Sequence, residues 1–129
     1  MDESYGFNRL VLIADDDPGQ RRQVAHSLKR SGIHVDEAES GEEAYGRVKE
    51  LHPAVVLMDV NMPGAGGIDA ANWIGSFSPE TKVVVMSGQT EDIINANRHA
   101  STAFAVIQKP IPLKILLRFV SSALASAGV

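Results

Sequence analysis

The chain contains no cysteine, which excludes disulfides, zinc–thiolate centres and thiol nucleophiles, and nothing hints at an oxidising compartment. No apolar run approaches the ~18 residues of a membrane span. Met1-Asp2-Glu3-Ser4 is acidic where a secretory leader would be basic and then apolar. A soluble cytoplasmic protein with no membrane partner is therefore the default expectation. Basic charge is scarce as well. The formal net charge is −4, which argues against direct nucleic-acid binding, since that needs a basic surface to displace counterions. The nearest approach to a basic cluster is Arg21-Arg22 with Lys29-Arg30, all in one helical segment, and it reads as a solvated helix face. His26, His34, His52 and His99 are dispersed, without ligand spacing or a nucleophile to serve. Internal repeats, linkers and low-complexity stretches are missing too.

What is present is ample apolar material. Hydrophobic residues make up 44% of 129 residues, enough for a core without cross-links and for one domain of ordinary size. A single domain over residues 1–129 is expected, its core running from about 9 to 125. Short apolar runs alternate with helical patterns. Leu10-Val11-Leu12-Ile13-Ala14 stops at three aspartates and looks like a strand buried on both faces. Pro18 suits the first turn of a helix, for which Val24, Ala25 and Leu28 supply an inward face. Ser31-Gly32 ends that helix. Residues 33–38 read as a weaker strand, and Ser40 with Glu43 forms a reciprocal capping box for a helix to about Leu51, closed by Pro53.

Ala54-Val55-Val56-Leu57-Met58 is the most convincing buried strand, and it ends on Asp59. A loop from Pro63 to Gly67 leads to a helix through Ala70, Ala71, Trp73 and Ile74. Residues 82–86 form a fourth strand ending on Ser87. Thr90 is expected to cap the next helix, which runs to about Ala100. Residues 103–107 make a fifth strand, followed by Lys109-Pro110 and a last helix from about Pro112 to Ala125. Trp73 and Met86 read as core or near-core residues. Five β-α units with short loops predict an α/β fold, a three-layer α/β/α sandwich of flavodoxin-like (βα)5 type with a parallel sheet in the order 2-1-3-4-5.

In such a sheet, ligands bind beyond the carboxyl ends of the strands, where the strand order reverses. Here that is between the first and third strands. The first delivers Asp15, Asp16 and Asp17, the third Asp59, the fourth Ser87 and the fifth Lys109. Clustered carboxylates stay ionised only with a cation among them. Oxygen donors alone favour magnesium, or manganese, with positions left for a phosphate. An Asp beside such a cation, with a Lys and a Ser nearby, is equipped for phosphoryl transfer. Any one of these acids alone is ordinarily a turn residue or helix cap. Their joint placement on the right strands in the right order carries the reading.

Val11-Leu12-Ile13-Ala14-Asp15-Asp16-Asp17-Pro18, Leu57-Met58-Asp59-Val60-Asn61-Met62-Pro63, Met86-Ser87-Gly88 and Gln108-Lys109-Pro110 together resemble the receiver domain of bacterial response regulators (CheY-like). The resemblance runs from about Arg9 to Val120. It implies that Asp59 accepts a phosphoryl group from a histidine kinase or phosphotransfer protein. It implies that Asp16 binds magnesium directly, Asp15 indirectly, and the Asn61 backbone carbonyl as a further ligand. Ser87 would contact the phosphoryl group and move on activation, and Lys109 would pair with it. Asn61 and Gln89 would tune dephosphorylation by orienting water. Asp17 lies outside the metal pair and reads as a helix-start acid, favoured near the helix's positive end.

The chain also departs from the family. Val106 stands where Tyr or Phe often occurs, and Phe104, two residues earlier, would share its strand face. Ile111 replaces a common Phe. On the last helix, Leu113, Leu116, Leu117, Val120 and Leu124 form the core stripe. Ile115 and Phe119 form a second stripe beside Ile111, expected to dock a downstream protein or a second copy of the chain. The expected output is conformational, with no turnover of an external substrate. Two other readings stand beside it. An Asp-nucleophile phosphatase of the haloacid dehalogenase type normally wants an Asp two residues on, where this chain has Asn61. A pseudo-receiver scaffold fits poorly with a complete Asp15, Asp16, Asp59, Ser87 and Lys109 set. A stand-alone receiver and the receiver part of a longer regulator or hybrid kinase remain equal in sequence terms.

Overall fold

Alternation along each strand decides the layering. Val11 and Ile13, Val55 and Leu57, Val84 and Met86 point to one side of the sheet. Leu12 and Ala14, Val56 and Met58, Val83 and Val85 point to the other. Because both faces are apolar, both need helices over them. The computed structural model describes residues 8–127; the acidic Met1–Ser4 segment and the last two residues lie outside the described residues. It has five strands and five helices in strict alternation: β1 Asn8–Ala14, α1 Pro18–Arg30, β2 Val35–Ala38, α2 Gly41–Leu51, β3 Pro53–Asp59, α3 Gly67–Phe77, β4 Lys82–Ser87, α4 Thr90–His99, β5 Ala105–Gln108 and α5 Leu113–Ala127. The sheet is parallel throughout, in the order β2-β1-β3-β4-β5, as expected. None of the described helices is long and apolar enough to cross a membrane.

One core lies under α1 and α5, through Ala25, Leu28, Leu116, Val120, Ala123 and Leu124. The other lies under α2, α3 and α4, where Ala44, Ala70, Ala71 and Ala96 face the sheet. β3 is buried from end to end. Complete burial of Val55, Val56, Leu57 and Met58 contributes about 1.5–3 kcal/mol per side chain, so the strand that carries Asp59 is the firmest part of the sheet. The expected stripe on α5 faces this core, with Leu113 and Leu117 partly buried beside it.

Several expectations need correction. β2 begins at Val35 and β5 at Ala105, each two residues late, because Ile33 and Ala103 are taken by turn hydrogen bonds to Leu28 and Ala100. The Ser40 hydroxyl caps α2 by accepting from Glu43 N at 3.1 Å. The return bond is displaced by one residue, since Glu43 Oε1 accepts from Glu39 N (2.7 Å). His52, in the left-handed region, caps the end of α2, and Pro53 already belongs to β3. Thr90 is the first residue of α4 and not its cap; Gln89 holds that place without a side-chain cap bond among the described residues. Trp73 is exposed, because α3 turns it outward to meet the Tyr45 ring at 5.8 Å.

Candidate functional site

Register brings the chemistry together. Ala14 pairs with Met58, and Asp59 pairs with Met86. Ser87 pairs with Gln108, and Lys109 N extends the ladder to Ser87 O at 2.7 Å. Four strands therefore end level, and Asp15, Asp59, Ser87 and Lys109 leave them side by side. Asp15, Asp16, Asp17, Gln20, Asp59, Asn61, Gly88, Gln89 and Lys109 line a cleft of about 420 Å³.

The β1 side is fastened by α1. Asp17 is the N-cap, its carboxylate accepting from Gly19 N (2.9 Å) and Gln20 N (3.3 Å), which bears out its reading as a helix-start acid. Asp17 N in turn donates to Asp15 Oδ1 at 2.9 Å. Arg21 corrects the reading of a solvated basic face. It is only 6% exposed; its Nη1 donates to the Asp15 carbonyl (2.9 Å) and its Nε to Glu37 on β2 (2.8 Å). A guanidinium has five donors and a long apolar stem, so one Arg ties helix, strand end and neighbouring strand together. An arginine one turn into a helix looks the same in sequence whether it faces water or a strand end.

Asp15, Asp16 and Asp59 can each place a carboxylate oxygen within 4.8 Å of the others. Burial pushes the Asp59 carboxyl above its ordinary value; Lys109 pulls it down, and Asp15 and Asp16 push it up again. Lys109 Nζ lies 3.3 Å from Asp59 Oδ1 and 3.6 Å from Asp15 Oδ2, and it also donates to Gln20 Oε1 at 3.1 Å. One ammonium thus reaches two of the three carboxylates, and burial, with Asp15 and Asp16 adding to it, outweighs Lys109 at the Asp59 carboxyl. A cluster of hard oxygen donors with unmet negative charge fits a small divalent cation. Gln20 is the member of this set that sequence reasoning missed; a Gln in the first turn of a helix gives no signal.

The backbone after Asp59 is held tightly. Gly67 N donates to Val60 O at 2.9 Å, and a Cβ on Gly67 would collide with the Asp59 carbonyl. Gly64 sits at φ +73°, in the region that favours glycine. The loop is fastened to α2 by Ala65 N, which donates to Glu42 Oε2 at 3.0 Å and holds the Glu42 carboxyl below its ordinary value.

On the β4 side, Ser87 is wholly buried. Its hydroxyl donates to Asp92 Oδ2 at 2.8 Å and accepts from Gln89 N at 3.1 Å. Asn61 Nδ2 donates to the same Asp92 oxygen at 2.8 Å. Asp92 is a second residue that sequence reasoning missed, since an acid in a first helical turn reads as dipole complementation alone.

Val106 is half-buried in the core under α2–α4. Phe104 precedes β5, and its ring meets Phe119 of α5 edge-on at 6.0 Å. The two do not share a face as alternation predicts, because the strand pattern has not begun at residue 104. Ile115 is 44% exposed and Phe104 45%. Phe119 and Ile111 are partly buried against the α5-side core, so the exposed apolar stripe is Phe104 and Ile115 flanking Phe119.

A sequence profile described as response regulator receiver domain matches residues 11–121. The chain is 29% identical over 119 residues to the response regulator receiver protein CpdR of Brucella abortus, covering 92% of this chain and 99% of that one. It is 37% identical over 103 residues to the chemotaxis protein CheY of Thermotoga maritima, covering 78% and 86%. Among solved structures, the beryllofluoride-activated NtrC4 receiver domain dimer superposes with a TM-score of 0.80 at 26% identity, over 93% of this chain and 99% of that one.

Proposed function

We propose that this chain, which belongs to the response regulator receiver family, is a phosphoacceptor of a two-component phosphorelay, with Asp59 as the acceptor. The observation that carries this is the buried Asp59 carboxylate, set among Asp15, Asp16 and Lys109 at the level ends of four strands. An Asp59 oxygen attacks the phosphorus of a phosphohistidine on a kinase or phosphotransfer protein. The P–O bond forms as the P–N bond breaks, and the imidazole leaves with the electron pair. Lys109 follows the charge that develops on the phosphoryl oxygens, and Ser87 is the hydroxyl that turns to donate to them. Asp16, Asp59 and the Asn61 carbonyl, with Asp15 acting indirectly, would hold a magnesium ion, manganese being the alternative. When bound, the ion supplies positive charge beside the transferred group. Asn61 and Gln89 line the cleft where water must approach, and they tune hydrolysis of the acyl phosphate.

The output is a changed surface over α4, β5 and α5, read by a downstream protein or output domain in the cytoplasm, with no turnover of an external substrate. The whole chain acts as one domain. Phe104, Ile115 and Phe119 give that surface its apolar part and are the face for a homodimer; that a similar receiver, NtrC4, is a dimer when activated by beryllofluoride supports dimerisation as such. Incubation with magnesium and acetyl phosphate, followed by intact mass measurement, tests the reading. The expected result is one acid-stable, base-labile phosphoryl group, lost in Asp59→Asn. A wild-type protein that gains none, or an Asp59→Asn that retains the gain, overturns it. Light scattering with and without beryllofluoride tests the dimer, which fails if both samples are monomeric.

A further inference from the structure

Two hydrogen-bond donors of the cleft are directed away from it, to one oxygen. Ser87 Oγ–H and Asn61 Nδ2–H both end on Asp92 Oδ2, each at 2.8 Å. We propose that Asp92 is a positioning residue that holds Ser87 and Asn61 in the resting state, and that the incoming phosphoryl group must take Ser87 from it.

A serine hydroxyl has a single proton to donate. While that proton is given to Asp92, none is left for a phosphoryl oxygen, so the two acceptors compete for one donor. The second link is electrostatic: a phosphoryl group brings about −1.5 to −2 of charge, and Asp92 is itself an acid on the adjoining helix turn. The third link is mechanical. α4 has no side-chain cap bond from Gln89, and its first turn is tied to the sheet by Asp92 to Ser87 and by Thr90 Oγ1, which accepts from Gln108 Nε2 at 3.2 Å. Redirecting the Ser87 hydrogen bond from Asp92 to a phosphoryl oxygen therefore removes one of these two side-chain ties. Asp92 is half-exposed, so its freed oxygen is met by water and the release costs little. Asn61 leaves or stays with the same oxygen, which joins the dephosphorylation-tuning position to the same event.

The inference rests on Asp59 being the phosphoacceptor, and the test separates the two. Wild type, Asp92→Asn, Asp92→Ala, Ser87→Ala and the Ser87→Ala/Asp92→Ala double variant are titrated with beryllofluoride at fixed magnesium, with backbone and Asn side-chain amides followed by NMR. A lost charged acceptor predicts roughly tenfold tighter beryllofluoride binding in Asp92→Ala, and a smaller gain in Asp92→Asn. Without added fluoride, the Asn61 side-chain amide signal should already be displaced in Asp92→Ala. The gain should shrink several-fold in the Ser87→Ala background, where only relief of charge repulsion remains, whereas a merely structural effect on α4 would leave it unchanged. Unaltered or weaker binding in Asp92→Ala, or an equal gain with Ser87 absent, overturns the proposal. With Asp59→Asn titrated as a control, where wild type binds and that control does not, the failure belongs to Asp92 alone. If no variant binds, the proposal falls together with the phosphoacceptor reading.

Discussion

The two sides of the cleft are fastened differently. On the β1 and β3 side the central ties are a buried bond from Arg21 to the Asp15 carbonyl and the close backbone approach of Gly67 to the Asp59 carbonyl, with the part-buried Arg21–Glu37 pair and the exposed Asp17 cap around them. On the β4 and β5 side, the first turn of α4 is held by side-chain bonds from Asp92 and Thr90 that are part-buried or exposed. A buried donor left unmet costs far more than one that water can meet. The acids are therefore held more firmly than the first turn of α4, whose side-chain ties water can replace at less cost.

The firm side is most vulnerable at Gly67. Gly67→Ala forces a Cβ into the Asp59 backbone and should cost about 3 kcal/mol, at the upper end for overpacking. Urea denaturation reads the stability, and acetyl phosphate labelling should fail in parallel. Arg21→Met keeps the apolar stem but leaves the Asp15 carbonyl and Glu37 without their donor. About 2 kcal/mol should be lost, with weakened magnesium-dependent stabilisation in a thermal melt; an unchanged melt would mean the tie is ornamental.

The acids themselves sharpen the picture through pH. The Asp59 carboxyl is raised by burial first and only partly pulled back by Lys109. A raised folded-state value means that the protonated form favours folding below the unfolded value. That stability is lost as pH rises through the folded value. In metal-free buffer, Asp59→Asn should therefore melt above wild type at neutral pH, and the gap should close on acidification below the ordinary aspartate range. A gap that widens toward acid would reverse the sign. The smallest effect is expected on the loose side. Gln108→Ala removes the tie to Thr90 and should cost about 0.5 kcal/mol. Its signature is faster hydrogen exchange in the first turn of α4, with phosphorylation at Asp59 unaffected.

Where residues act through their own chain neighbours, sequence pattern was enough. The runs at Leu10–Ala14 and Ala54–Met58 announced buried parallel strands, and Pro18, Ser40 and Ser31-Gly32 marked helix ends. Right-handed crossovers implied a doubly wound sheet, the order 2-1-3-4-5 was expected as the commonest at this length, and the sheet found has that order. Asp15, Asp16, Asp59 and Lys109 were legible as a set because a level parallel sheet delivers whatever follows its strands to one edge. The second apolar stripe expected on α5 is present in altered form, with Phe104 exposed and Phe119 half-buried between it and Ile115.

Contacts between elements were not legible. Arg21 read as a surface charge because burial depends on what β1 and β2 bring beside it. Trp73 read as core because its outward turn depends on how α3 lies against α2. Thr90 read as a cap by type, yet the chain enters α4 one residue earlier, and Asp92, unremarkable in sequence, carries the bonds. Periodicity and strand-end chemistry are local or follow from topology, so the sheet, its order and the acids at its edge could be read from the residues alone. Which donors those acids meet, and how firmly, depends on side chains reaching across helices that are distant in the chain. Only the tertiary structure decided that Ser87 and Asn61 would rest on Asp92.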